Sequence, residues 1–168
     1  MCILAFAKNV IPEYPLILIG NRDEFFHRPT KSAFWWDNGI LAGQDLEAGG
    51  TWLGINKQGK FATLTNYRDI PSIKSNVRSR GELTVDFLNG NNTGKTYMTD
   101  ISKKADAYNG FNLLTWENGT MHHFSNYENK INEVSDGVHV FSNALLDTPW
   151  YKTNLLQNSF ERLLTKSP

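Results

Sequence analysis

Short apolar runs, each broken off by turn residues, fill the first two thirds of this chain, and at two places the spacing leaves little choice but an antiparallel hairpin. The stretch 51–66 (Thr51-Trp52-Leu53-Gly54-Ile55-Asn56, then Lys57-Gln58-Gly59, then Lys60-Phe61-Ala62-Thr63-Leu64-Thr65-Asn66) predicts two strands joined at Asn56 to Gly59. A second hairpin is expected from 112–116 and 120–124, with Glu117-Asn118-Gly119 at the bend. The runs 3–7 and 16–20 flank Pro12-Glu13-Tyr14-Pro15 and read as neighbouring strands. Residues 138–141 add a further strand, while 40–42 is too short to assign.

Helical spacing occupies three separate blocks. Ser79-x-x-Glu82 has capping-box spacing, with Leu83, Phe87 and Leu88 on one face after it and Gly90 as a stop. Residues 96–108 place Tyr97, Ile101, Ala105 and Tyr108 on one side, with Gly110 closing the segment. A last helix is expected to begin near Thr148-Pro149, since proline suits the first turn, and to present Leu156, Phe160, Leu163 and Leu164. Strand-rich runs with helices set apart predict an α+β layered fold rather than a doubly wound parallel sheet. With no repeats or linker, 168 residues are expected to form a single domain, 1–168.

Composition excludes several classes. At 40% hydrophobic and 20% charged the chain can bury a core. Seventeen basic and seventeen acidic side chains leave a formal net charge of zero, so no broad pull on phosphate and no nucleic-acid partner is expected. One cysteine cannot form an internal disulfide. The first residues lack the basic start of a signal peptide, and the run 16–19 falls far below the ~20 apolar residues of a membrane span. A soluble, cytoplasmic protein is expected.

Several residues could carry chemistry. If the initiator methionine is removed, as a small second residue permits, Cys2 holds a thiol and a free α-amine together. That amine's reference pKa of ~8 lets it accept the thiol's proton. The competing reading is a buried core cysteine. Asn21-Arg22-Asp23-Glu24 follows an apolar strand and is placed either to line a site or to form a solvated turn. Gly49-Gly50 before a strand implies positive φ or close backbone approach, and lacks the order of a phosphate loop. Asn66 in Thr65-Asn66-Tyr67-Arg68 and Asn143 in Ser142-Asn143-Ala144 stand at strand ends, where an amide can donate to an oxyanion or simply form a turn. His27, His122, His123 and His139 show no metal-ligand spacing, so no metal is expected. Phe34, Trp35 and Trp36 read as core or pocket wall.

Together, Met1-Cys2, Asn21-Arg22-Asp23-Glu24, the run 48–54 (Ala-Gly-Gly-Thr-Trp-Leu-Gly), Leu64-Thr65-Asn66-Tyr67-Arg68 and the run 142–150 (Ser-Asn-Ala-Leu-Leu-Asp-Thr-Pro-Trp) resemble the NRDE family, also called Transport and Golgi organisation protein 2, with the motifs in order from residue 1 to about residue 165. That family is itself similar to N-terminal nucleophile hydrolases of the choloylglycine and penicillin V hydrolase type. The resemblance implies an αββα layered sandwich and a cysteine hydrolase or acyl-transfer enzyme acting on a small linear amide or acyl compound. By the same resemblance Cys2 matches the nucleophile, Asp23 the aspartate near its amine, and Asn66 and Asn143 the asparagines around oxyanion and amine. Arg22 is carried as the site arginine, although in those hydrolases the arginine precedes the asparagine, where this chain has Gly20. Asn21, Trp36, Trp52 and Tyr67 are carried as substrate-contact candidates.

The family usually continues into further strands, including a Tyr-Gly-Thr-Arg-like segment, which this chain is expected to lack. The rival reading is a non-catalytic carrier of haem or lipid, since the family has been linked to both. Phe34, Trp35, Trp36 and Trp52 would wall its pocket, with His27 as an axial-ligand candidate. The catalytic reading itself calls for no cofactor.

Overall fold

The computed structural model describes residues 2–165. In chain order the strands are β1 (Ile3–Ile11), β2 (Tyr14–Asn21), β3 (Thr30–Trp35), β4 (Ile40–Asp45), β5 (Leu53–Asn56), β6 (Phe61–Asn66), β7 (Phe111–Glu117), β8 (Thr120–Ser125), β9 (Lys130–Glu133) and β10 (Gly137–Phe141). The helices are α1 (Gly81–Asn89), α2 (Gly94–Ser102) and α3 (Tyr151–Leu164). The chain divides into two compact units, one made of the segments up to Glu24 and from Ser135 onward, the other of Phe25–Val134. The mixed α and β content agrees with the α+β reading, and the strands all pair antiparallel.

In the first unit β1 is the middle strand of a three-stranded sheet, between β10 and β2. Successive side chains alternate faces. Ala5 and Ala7 of β1 and Val140 of β10 accordingly meet Phe160 of α3, with Ile17, Val138, Leu156 and Leu164 around them. The two alanines leave room for the phenyl ring. Leu156, Phe160 and Leu164 climb the helix four residues at a time toward the sheet. Leu163, expected on that stripe, is off the line and 62% exposed. The helix also starts later than Thr148-Pro149 suggested. The Thr153 hydroxyl accepts the Trp150 N–H at 2.9 Å and donates to the Thr148 carbonyl at 2.8 Å. That reach-back makes Trp150 the cap and leaves Pro149 outside the first turn.

The second unit is a seven-stranded sheet in chain order, β3 through β9. Both expected hairpins are present as β5–β6 and β7–β8. Asn118 and Gly119 sit at φ +47° and +79°, the double left-handed turn whose twist matches a two-residue hairpin. Residues 40–42 prove to open β4. β3 and β9, which the sequence did not reveal, are the two edges of the sheet. An edge strand need not alternate, and polar Lys31, Ser32, Lys130 and Asn132 hide the pattern.

Helices α1 and α2 bury Leu83, Phe87, Leu88, Met98 and Ile101 in one core with Leu64, Leu113 and Phe124 of the sheet. Their starts differ from expectation. The Ser79–Glu82 capping box does not form: α1 begins at Gly81 after an Arg80 cap with no side-chain bond. The Glu82 carboxylate is taken instead by the Tyr108 hydroxyl at 2.5 Å and the Arg78 guanidinium at 2.6 Å. In the expected 96–108 helix, α2 opens two residues earlier, because the Thr93 hydroxyl caps the Thr96 N–H at 3.2 Å. It stops at Ser102, a separate 3-10 turn spans Ala105–Ala107, and Tyr108 is extended. Gly49-Gly50 behaves as read. Gly49 takes φ +74°, and a Cβ on Gly50 would lie 2.6 Å from the Gly81 carbonyl carbon. The pair lets the chain press against the start of α1, where Thr51 N–H donates to the Gly81 carbonyl at 3.2 Å.

Candidate functional site

Cys2 directly precedes the central strand of the first unit, so both neighbouring strands deliver residues to it. The β1–β2 register pairs Ile3 with Asn21 and Leu4 with Gly20. Continued by one residue, it sets Cys2 against Arg22. The β1–β10 register pairs Leu4 with Phe141 and, continued past the strand end, sets Cys2 against Asn143. One contact is direct: the Ser142 hydroxyl donates to the Cys2 carbonyl at 2.8 Å and lies 3.4 Å from the Asn143 side-chain oxygen. Ser142 and Asn143 are buried, at 3% and 5% exposure.

Gly20 lies tight against β1. A Cβ there would meet the Leu4 side chain at 2.9 Å and the Ile3 carbonyl at 3.0 Å, so no arginine fits without moving β1. Arg22 stands two residues further on, which on a strand returns to the same face. Its guanidinium lies 3.6 Å from the Glu24 carboxylate.

Charge around the thiol is mixed. Burial is the largest influence and pushes the Cys2 pKa up, and Glu24 adds to it. Arg22 and Lys152, the latter in the first turn of α3, oppose the rise without cancelling it. A thiol so placed is not a thiolate at neutral pH on its own account and needs a base. Lys152 had no role in the sequence reading, and Glu24 had none beyond its place in the run 21–24, set either to line a site or to form a turn. Glu24 was visible within the Asn-Arg-Asp-Glu run, but Lys152 follows the 142–150 motif with nothing to mark it. Asn21 and Asp23 are exposed at the end of β2.

The turn bearing Ser142 and Asn143 closes at its base. The Asp147 N–H donates to the Val140 carbonyl and the Val140 N–H returns a bond to Asp147 Oδ1, each at 2.9 Å.

The remaining candidates belong to the second unit. Asn66 ends β6, exposed, opposite Phe111 of β7. Tyr67 stacks on Tyr127 at 4.2 Å, and its pKa is raised by burial first and then by that tyrosine. The Trp36 indole N–H donates to the Ala42 carbonyl at 3.1 Å, and Trp36 and Trp52 both rest against the buried core. Trp35 is half exposed on β3, beneath Lys57. His27 stacks on Phe25 at 5.5 Å. His122 and His123 are buried on β8, and burial lowers the His122 pKa, keeping it neutral. Among the described residues no three His, Cys, Asp or Glu side chains gather to hold a metal ion. Nor is any described helix long and apolar enough to cross a membrane.

The whole sequence, residues 1–168, matches the family model described as Transport and Golgi organisation 2. It is 41% identical over 167 residues to the Transport and Golgi organization protein 2 homolog of Bos taurus, covering 90% of this chain and 60% of that one. The Homo sapiens homolog is 40% identical over the same length and coverage. Transport and Golgi organization protein 2 of Drosophila melanogaster is 30% identical over 185 residues, covering 98% of this chain and 65% of its own. The chain thus spans less than two thirds of the length of these relatives. Matched over its full length by that model, the chain belongs to the Transport and Golgi organisation 2 family.

Proposed function

We propose that Cys2, once Met1 is removed, is the nucleophile of an N-terminal cysteine hydrolase or acyl-transfer enzyme acting on a small linear amide or acyl compound. The observation that carries this reading is the convergence on one residue, with Ser142 bonded to the Cys2 carbonyl and the two strand registers bringing Arg22 and Asn143 to either side. The Cys2 sulfur adds to the substrate carbonyl carbon, and the free α-amine of Cys2 takes the thiol proton. That proton passes to the departing amine as the carbon–nitrogen bond breaks, leaving a thioester on Cys2. Water or a second nucleophile then takes the acyl group and regenerates the thiol.

The raised thiol pKa suits this division of labour. A half-buried thiol with a raised pKa is held protonated until a base acts, and the α-amine (reference pKa ~8) is a base that comes with the nucleophile. Arg22 and Lys152 favour the thiolate as it forms. In this reading Asn143, opposite Cys2 in the continued β1–β10 register, donates to the amine or the oxyanion. Asp23 and Asn66 enter through the family resemblance, as amine partner and oxyanion donor. The reading implies the αββα layering of that hydrolase class.

The test is intact-mass analysis of purified protein before and after exposure to p-nitrophenyl acetate. Loss of Met1 and a single acetyl adduct on Cys2, absent from Cys2→Ala, are expected. Ester turnover that persists undiminished in Cys2→Ala would sink the reading.

A further inference from the structure

The turn 142–147 has no regular secondary structure, yet it is held by a charged pair between His139 of β10 and its own Asp147. His139 Nδ1 lies 2.7 Å from Asp147 Oδ2, and His139 Nε2 lies 3.1 Å from the Ser135 carbonyl. A carboxylate and a carbonyl only accept, so the geometry suits an imidazolium whose two ring N–H groups both donate. The other oxygen of the same carboxylate receives the Val140 N–H at 2.9 Å. Asp147 itself sits at φ +58°, a left-handed conformation that turns the chain back toward α3. Phe6 stacks on the imidazole at 5.1 Å, and His139 is 9% exposed. One ion pair therefore closes the base of the turn from beneath, while Ser142 reaches from its start to the Cys2 carbonyl.

We propose that His139 and Asp147 are positioning residues, a latch that holds Ser142 and Asn143 beside Cys2. The catalytic consequence rests on the nucleophile reading above; the latch itself does not. The charged groups about the imidazole are Asp147 on the turn and Lys8 on β1, itself paired with Asp136 at 2.5 Å. On the other face of the sheet, α3 presents Leu156, Phe160 and Leu164. Losing the Nε2 proton would set its lone pair against the Ser135 carbonyl and leave a neutral Nδ1–H donor to Asp147, so the latch weakens.

His139→Gln, Asp147→Asn and Asp147→Gly test it in the full chain. Asp147→Gly keeps the left-handed turn without strain and removes only the carboxylate. Asp147→Asn keeps the shape and one acceptor, and covers the case in which the glycine variant fails to fold. Amide hydrogen exchange at Val140 and Asp147 is expected to quicken about tenfold or more in His139→Gln and Asp147→Gly, the loss of a hydrogen bond to a charged group. Acylation of Cys2 by p-nitrophenyl acetate is expected to fall about tenfold or more, as when an oxyanion donor is displaced. Alkylation by iodoacetamide, which builds no oxyanion, should hold its wild-type rate. Unchanged exchange, or wild-type exchange in Asp147→Gly, overturns the latch. Acylation and alkylation falling together overturn its positioning role. A wild-type chain freed of Met1 yet never acylated overturns the nucleophile reading and the catalytic part of this proposal, while the exchange measurement still decides the latch.

Discussion

The Ser142 hydroxyl donates to the carbonyl of Cys2 at 2.8 Å, tying residues 140 positions apart in the chain. The bond joins the approach to the central strand to the exit from its neighbour, at the point where the two registers run out.

Ser142→Ala should leave that part-buried carbonyl without its side-chain donor, at a loss of about 0.5–1.5 kcal/mol, the net worth of an ordinary hydrogen bond. A urea midpoint shifted downward with an unchanged slope checks this. A midpoint equal to wild type would mean the bond contributes nothing.

The His139–Asp147 pair predicts a pH dependence. Burial lowers the His139 pKa, but the hydrogen bond and charge of Asp147, with the Ser135 carbonyl, outweigh it and leave the net value raised. A pKa raised on folding gives stability that is complete below the unfolded value of ~6.5 and lost as pH rises through the folded value. The wild-type melting temperature should therefore drop more than that of His139→Gln across that window. Parallel curves for the two proteins would refute it.

Gly49 and Gly50 should respond differently to alanine. Gly49→Ala meets open space and pays only for positive φ, about 1–2 kcal/mol. Gly50→Ala drives a methyl into the Gly81 backbone, and overpacking of this kind costs typically 1–3 kcal/mol, roughly, with α1 displaced. Chemical-shift changes confined to the turn in the first variant and spread along α1 in the second are the expected pattern.

Local chemistry was legible where neighbours in sequence decide the outcome. Asn118-Gly119 and Asn56 to Gly59 turn as expected, because Asn118, Gly119 and Gly59 take a left-handed φ that Asn and Gly adopt at low cost. Helix starts were less legible. Ser79 and Glu82 have the right spacing for a cap, but Tyr108 and Arg78 compete for the Glu82 carboxylate, and both arrive through the fold.

The candidate site divides in the same way. The sequence by itself determined which residue types stand at the strand ends, that Cys2 would carry an α-amine once Met1 leaves, and that the chain mixes sheet with helices. Only the tertiary structure decided that β10 pairs with β1 on the side away from β2, and that Glu24, Lys152 and Ser142 act on Cys2. Strand pairing joins partners more than a hundred residues apart through backbone hydrogen bonds, which any residue but proline can make on both sides. Nothing in the local run of side chains names β10 as the second partner of β1; burial of Ala5, Ala7 and Val140 under Phe160 selects it.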